Sequence, residues 1–264
     1  MRAAIEMVRT QTDKPFAAVL YSHFHYVNGT TAIFDDAKRT LPVWGHSRIA
    51  TNRVRTSSAI APTYTRGIIE QFGTSLPSDG PDGLVGVGLG RSFKNAAHAP
   101  HTAGYVHADT TFDAPCRIRV AGLDVDVMPA PSDADDSVTF SFPALDLAVN
   151  NLVWPVLFNV FAIRGEEYRD PTVLLTGLDH LLGLKVEHLV GAHGIPISGR
   201  DAIARRVGRY RDAIQFLWDQ TVRHTNKGAT SADLAHLVKL PDWADDDYLT
   251  TEYYGVAEHH ARQI

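Results

Sequence analysis

Ser22-His23-Phe24-His25-Tyr26-Val27-Asn28-Gly29 follows directly on the apolar run Phe16-Ala17-Ala18-Val19-Leu20-Tyr21. A buried strand running into a histidine-rich loop can present metal ligands, because residues i and i+2 of an extended segment share a face. His23 and His25 can therefore grip one ion. Two further stretches bring metal-competent side chains to strand ends. One is the acidic loop Ser132-Asp133-Ala134-Asp135-Asp136, after a strand ending at Met128-Pro129. The other is Gly191-Ala192-His193-Gly194, after Glu187-His188-Leu189-Val190. Imidazole plus carboxylate is the donor set of catalytic zinc, which keeps one position open for water. Water bound there ionises near neutral pH and becomes a nucleophile. A His-x-His pair alone equally describes two exposed loop histidines. Three such groups carry more weight, since layered α/β folds align strand ends along one rim.

The elements that must position these groups read as follows. Arg2 to Thr10 forms a short amphipathic helix, with Ile5, Met7 and Val8 on its apolar side. Phe16 to Tyr21 is the first strand, Thr31 to Asp36 is helical, and Pro42-Val43-Trp44 is a second strand. His46 to Phe72 is polar-helical with an interruption near Pro62, and Gly73 to Gly90 is loop. Cys116 to Val120 and Leu123 to Met128 alternate around Ala121-Gly122, which predicts a β-hairpin. Val138 to Phe142 and Leu145 to Val149 are strands, Pro171 to Leu184 a helix, and Glu187 to Ala192 a strand feeding His193. Beyond that point three helices are expected, over Arg200–His224, Ser231–Lys239 and Asp245–Gln263. Residues 1–199 thus form an α/β layered domain and 200–264 a helical extension.

The chain has 264 residues, enough for one large domain with an appendage. A net charge of −5, with no lysine or arginine block, argues against a nucleic-acid or anionic-membrane partner. Cys116 is the only cysteine, so neither an internal disulfide nor a cysteine zinc knuckle can form. No apolar run is long enough to span a bilayer and no signal peptide is seen, which makes cytoplasmic the default expectation. Most of the thirteen histidines are expected to be ordinary surface or core residues. His98, His101 and His107 are among these, as are His259 and His260 on the last helix, which are expected to be solvated.

From about Lys14 to its end the chain resembles the alkylsulfatase branch of the metallo-β-lactamase superfamily. The likeness is carried by Tyr21-Ser22-His23-Phe24-His25, Gly83 to Gly90, Phe142-Pro143, Ile163 to Asp170 and Glu187 to Pro196. Tyr210 to Thr221 and Glu252-Tyr253-Tyr254-Gly255 add to it. The resemblance implies an αββα metallo-β-lactamase-like sandwich, its completeness at the N-terminus left open, with a two-zinc site at one sheet edge and a helical dimerisation segment. It also implies hydrolysis of a sulfate ester by metal-bound hydroxide. Family members place a β-rich segment before the His-x-His loop, whereas about twenty residues precede it here. The chain is therefore expected to be a shortened paralogue, a fragment or a gene with a misassigned start.

Carried over position by position, His23 and His25 match the first ligand pair, Asp133 the first carboxylate and His193 the late histidine. Val27 and Asn28 stand where an Asp-His pair belongs. Val149 stands where a bridging carboxylate is expected, and Phe158 where a substrate-side histidine is. Valine cannot bind an ion and an amide is a poor zinc ligand. The expectation is one zinc ion rather than two, held by His23, His25, Asp133 and His193, with Asp133 and His193 in catalytic roles. Arg164, His46 and Tyr105 are the candidate substrate-binding residues, although an arginine of this segment equally suits a salt bridge to Glu166 or Asp170. A small-molecule ester and a second copy of the chain, in a homodimer, are the expected partners. Two other readings stay open: a degenerate, non-catalytic member that binds a ligand or partner, and a lyase or isomerase using the same cleft.

Overall fold

The structure is a computed structural model that describes residues 1–56, 60–77, 80–84, 102–161, 163 and 166–264. One edge of its larger sheet is the expected hairpin, in which β4 (Cys116–Val120) pairs antiparallel with β5 (Leu123–Pro129). Ala121 and Gly122 both have positive φ, the two-residue turn whose twist matches the flanking strands. Alternation does the rest. Ile118, Val125 and Val127 are buried, while Arg117 faces Asp126 across the outer surface at 2.6 Å. β6 (Val138–Phe142), β7 (Leu147–Asn150), β8 (His188–Gly191) and β9 (Ile197–Ser198) extend this sheet in the order β4-β5-β6-β7-β8-β9. Only the β7–β8 pair is parallel, and helix α5 (Pro171–Gly183) lies in its crossover. Asp170 caps α5 by accepting from the Thr172 amide at 2.8 Å, and Pro171 occupies the first turn, where its missing N–H is harmless.

A smaller, all-parallel sheet comprises β1 (Val19–Leu20), β2 (Val43–His46) and β3 (Thr110–Phe112), in that order. Between the sheets lie Phe112, Ile118, Val125, Val127, Val138 and Phe140, joined by Leu20 and Trp44. Outside the smaller sheet, Val19, Tyr21 and Val43 pack with Ile49 of helix α3 (Ile49–Thr56) and with Ile33 and Phe34 of helix α2 (Thr30–Ala37). Outside the larger sheet, Ala148, Leu189 and Ile197 meet Leu174 and Leu178 of α5 and Val207, Tyr210 and Ile214 of helix α6 (Arg200–Thr225). The layers run helix, sheet, sheet, helix. The distal half of α6 packs Ala213 and Leu217 against helices α7 (Ser231–Leu237) and α8 (Ala257–Gln263).

Four expectations are corrected. The first strand is only Val19–Leu20, because β2 begins at Val43 and, among the described residues, no strand pairs with Phe16 to Ala18. In the first helix (Arg2–Arg9) Ile5 is buried, whereas Met7 and Val8 are exposed. Leu145 belongs to a 3-10 turn, Pro143–Leu145, rather than to β7. Asp245 to Gln263 is not one helix. Arg206 takes both Asp247 oxygens at 2.6 and 2.8 Å, which draws the chain into two 3-10 turns, Asp242–Asp246 and Tyr248–Thr250, before α8. Pro62 sits in the first turn of the helix Ala61–Phe72, and residues 57–59, between it and the helix Ile49–Thr56, lie outside the described residues.

Candidate metal centre

His23 leaves the end of β1 in an extended conformation, just before the 3-10 turn Phe24–Tyr26. The Val138 amide donates to the Ser22 carbonyl at 3.0 Å and ties this loop to β6. Ser22 Oγ lies 3.0 Å from His23 Nδ1, which leaves Nε2 turned inward, 3.7 Å from Asp133 Oδ2. His25 Nδ1 lies 3.0 Å from the same oxygen. Asp133 comes from the β5–β6 loop and its side chain is 3% exposed. His193 arrives two residues after β8, with its imidazole against the Trp154 ring at 4.0 Å between centroids. Donor atoms of His23, Asp133 and His193 all lie within 4.8 Å of one another.

The donor set fits a divalent ion. Among the described residues, His23 Nε2 and His193 Nε2 are buried without a hydrogen-bond partner, which is costly for an imidazole nitrogen unless something else binds it. Their protonation states suit the same purpose. Burial pushes the His23 imidazole down to about 4, despite the opposing pull of Asp133. Burial also lowers His193. For Asp133, burial acts to raise the carboxyl. The His25 hydrogen bond and the charges of His23, His25 and Arg169 outweigh it and hold the group well below the carboxylate range. At neutral pH the cluster offers two neutral imidazoles and one carboxylate, the forms that ligate zinc.

Three comparisons bear on this arrangement. A linear primary-alkylsulfatase from a Pseudomonas species (strain ATCC 19151) is 32% identical over 271 residues, covering 100% of this chain and 50% of the relative. The stereoselective inverting sec-alkylsulfatase Pisa1 from Pseudomonas sp. superimposes with a TM-score of 0.83 at 23% identity, over 99% of this chain and 43% of that one. A metallo-β-lactamase family protein from Thermus thermophilus superimposes with a TM-score of 0.55 at 15% identity, over 84% of this chain and 69% of that one. Alkylsulfatases are thus homologues of this chain, and its fold is the metallo-β-lactamase-like one. No protein-family model matches it. It spans half the length of the linear primary-alkylsulfatase.

Within this alkylsulfatase-like frame the departures have structural reasons. Val27 is 1% exposed and packs with Val19, Phe24 and Ile49. Asn28 is exposed, and its side-chain Oδ1 accepts from Arg53 Nη2 at 3.2 Å. Val149 lies within β7, opposite Phe140, and packs toward the inter-sheet layer. Phe158 is fully buried, edge-on to Trp154 at 5.4 Å, with the Arg169 guanidinium 5.5 Å from its ring centre.

The residue that reaches Asp133 from the end of β7 is Asn151. Its amide nitrogen donates to Asp133 Oδ1 at 2.5 Å and to Ser132 and Ser137 hydroxyls at 3.0 Å each. Asn151 is not among the residues singled out from the sequence, where Val149 is the position weighed at this strand. The polar pair Asn150-Asn151 closing an apolar strand was the available signal. Asn150 is structural: its side-chain Oδ1 accepts the Leu152 and Val153 amides at 2.9 Å each.

The remaining candidates are dispersed. His46 ends β2, where Nδ1 accepts the Arg48 amide at 3.1 Å and the ring meets Phe112 edge-on. Tyr105 stacks on Tyr21, and the Arg53 guanidinium lies 3.8 Å from its ring centre. His107 is exposed beside Tyr105, 3.4 Å from its hydroxyl. Arg164, His98 and His101 lie outside the described residues. His260 is a correction. It is fully buried, and Nδ1 accepts the Val160 amide at 3.1 Å. Beside the centre a cavity of about 370 Å³ opens, lined by His25, Asp133, Glu166, Arg169, Phe24 and Val173 among others.

Proposed function

We propose that this chain is a metal-dependent hydrolase of a small ester, with sulfate esters as the substrate class, and that it works with one zinc ion rather than two. The observation that supports this reading best is the convergence of His23, Asp133 and His193 donor atoms within 4.8 Å, both imidazole Nε2 atoms being buried and unpaired. A bound zinc ion lowers the pKa of water and polarises an ester oxygen. The protein's own part is to hold the donors ready. Ser22 fixes His23, and Asn151 and Ser132 occupy Asp133 Oδ1, which leaves Oδ2 toward the imidazoles. His25 Nδ1 completes the grip, and the adjoining cavity takes the ester. Arg164 is retained as a substrate-side residue.

Support for a single ion comes from Val27 in the core, Asn28 engaged by Arg53, and Val149 packed toward the inter-sheet layer where the resemblance expects a bridging carboxylate. The helical segment 200–264 is proposed as the surface of a homodimer. Among the described residues no helix is long and apolar enough to cross a membrane. A second reading, a non-catalytic binding protein built on the same cleft, is favoured by the same replacements together with Phe158.

Elemental mass spectrometry on protein purified without chelator tests the proposal, alongside hydrolysis of a linear alkyl sulfate. One zinc per chain is expected, with both the ion and the activity lost in His23→Ala. Two ions per chain would refute the single-ion assignment. No ion and no hydrolysis would favour the binding protein.

A further inference from the structure

We infer that Glu166 is the positioning residue of His25, acting from behind the imidazole to set which nitrogen faces the centre. The inference rests on the metal-centre reading above. His25 turns Nδ1 toward Asp133, at 3.0 Å, and its other nitrogen, Nε2, lies 3.9 Å from Glu166 Oε1. The imidazole thus spans two carboxylates, one belonging to the ligand cluster and one behind it. Which nitrogen of a histidine ligates, and how firmly, is set by the partner of the other nitrogen, commonly a carboxylate. At 3.9 Å the carboxylate faces the ring nitrogen from beyond hydrogen-bond distance, so it acts on the imidazole through its charge.

Glu166 is held in place as a surface side chain would not be. It is 8% exposed, and its Oε2 accepts from Arg169 Nη2 at 3.1 Å. Arg169, 6% exposed, is anchored in turn. Its Nη1 donates to Asn159 Oδ1 at 2.9 Å and to the Asn159 carbonyl at 3.2 Å, and Phe158 lies beneath the guanidinium. A buried ion pair carries a desolvation penalty and persists only with good geometry and further hydrogen bonds. This one runs from Asn159 through Arg169 and Glu166 to His25, and so ends on a metal-ligand candidate. Phe158 fits the same chain of contacts: its ring supports Arg169 where the family resemblance placed a substrate-side histidine.

Calorimetric titration of the metal-free protein with zinc is the test, backed by the visible spectrum of the cobalt(II)-loaded form. Glu166→Gln keeps the shape of the side chain and removes its charge. It is expected to weaken zinc binding by about 10- to 100-fold, to leave the number of ions per chain unchanged, and to shift the cobalt(II) bands. Glu166→Asp is expected to recover part of the affinity. Melting of the metal-free proteins separates this from simple loss of folding. A folded Glu166→Gln that binds zinc with wild-type affinity and an unshifted cobalt(II) spectrum would overturn the inference while leaving the metal centre standing. A wild-type protein that takes up no zinc would overturn both.

Discussion

Asp133 and Asp136 lie three residues apart in one loop, and folding drives their carboxyl groups in opposite directions. Asp133 is surrounded by imidazoles and stays ionised. Asp136 is fully buried near the Asn52 side chain, receives the Phe24 amide at 3.4 Å on one oxygen and, among the described residues, shows no hydrogen-bond partner on the other. Burial raises it to about 6. Because this value exceeds that of the unfolded chain, the protonated form stabilises the fold at low pH, and that stability is lost as pH rises through about 6. Asp136→Asn is therefore expected to raise the melting temperature at pH 8, by up to about 3 kcal/mol in stability, and to give no gain near pH 4. A variant that melts lower than wild type at pH 8 would contradict this account. The histidines act with the opposite sign. Burial lowers His260 to about 3 and His23 to about 4, so their stabilising contribution is complete above about 6.5 and falls away as pH drops toward 4. His260→Asn, which keeps an acceptor for the Val160 amide, should flatten that acid-side loss in thermal melts from pH 7 to 4.

At the scale of elements, β8 delivers His193 only because its last residue has no side chain. A Cβ on Gly191 would collide with the His193 carbonyl oxygen, and Gly194, at positive φ, turns the chain away again. Gly191→Ala is expected to displace His193 and reduce zinc uptake in titration while leaving the secondary structure seen by circular dichroism intact. Unchanged zinc affinity would show that His193 tolerates the shift. Helix α7 is short, and its start depends on a reciprocal cap: Thr230 Oγ1 accepts the Asp233 amide while Asp233 accepts the Thr230 amide. Thr230→Ala should lower stability by about 1 kcal/mol, measured by urea unfolding, without altering metal content.

For the whole molecule, the ligand cluster joins two sheets and two layers of the sandwich. His23 follows β1 of the smaller sheet, whereas Asp133 and His193 come from β5–β6 and β8 of the larger one. An ion bound across them links the layers and favours the folded state by mass action. At free zinc near 100 times its dissociation constant the gain is about 2.7 kcal/mol. Removing the ion with chelator should lower the melting temperature, and added zinc should restore it. The Asp133→Asn protein should melt at one temperature with or without zinc; a zinc-dependent shift in that variant would place the ion elsewhere.

The sequence alone determined the local parts. Alternation around Ala121-Gly122 dictated the hairpin, Asp170-Pro171 announced α5, and His23, Asp133 and His193 were legible because each follows an apolar strand. The resemblance carried these to a fold class that the layered structure bears out. What the sequence could not decide were matters of pairing and burial, which depend on residues far along the chain. β1 is short because its partner begins at Val43. The last helical stretch breaks because Arg206, some forty positions earlier, captures Asp247. His260 is buried rather than solvated because α8 docks against the Val160 backbone. Asn151 and Glu166 belong to the centre through contacts with Asp133 and His25, 18 and 141 positions away (151 − 133; 166 − 25). Periodicity and strand-end placement are short-range signals, whereas the partner of a buried polar atom is fixed only when the layers close.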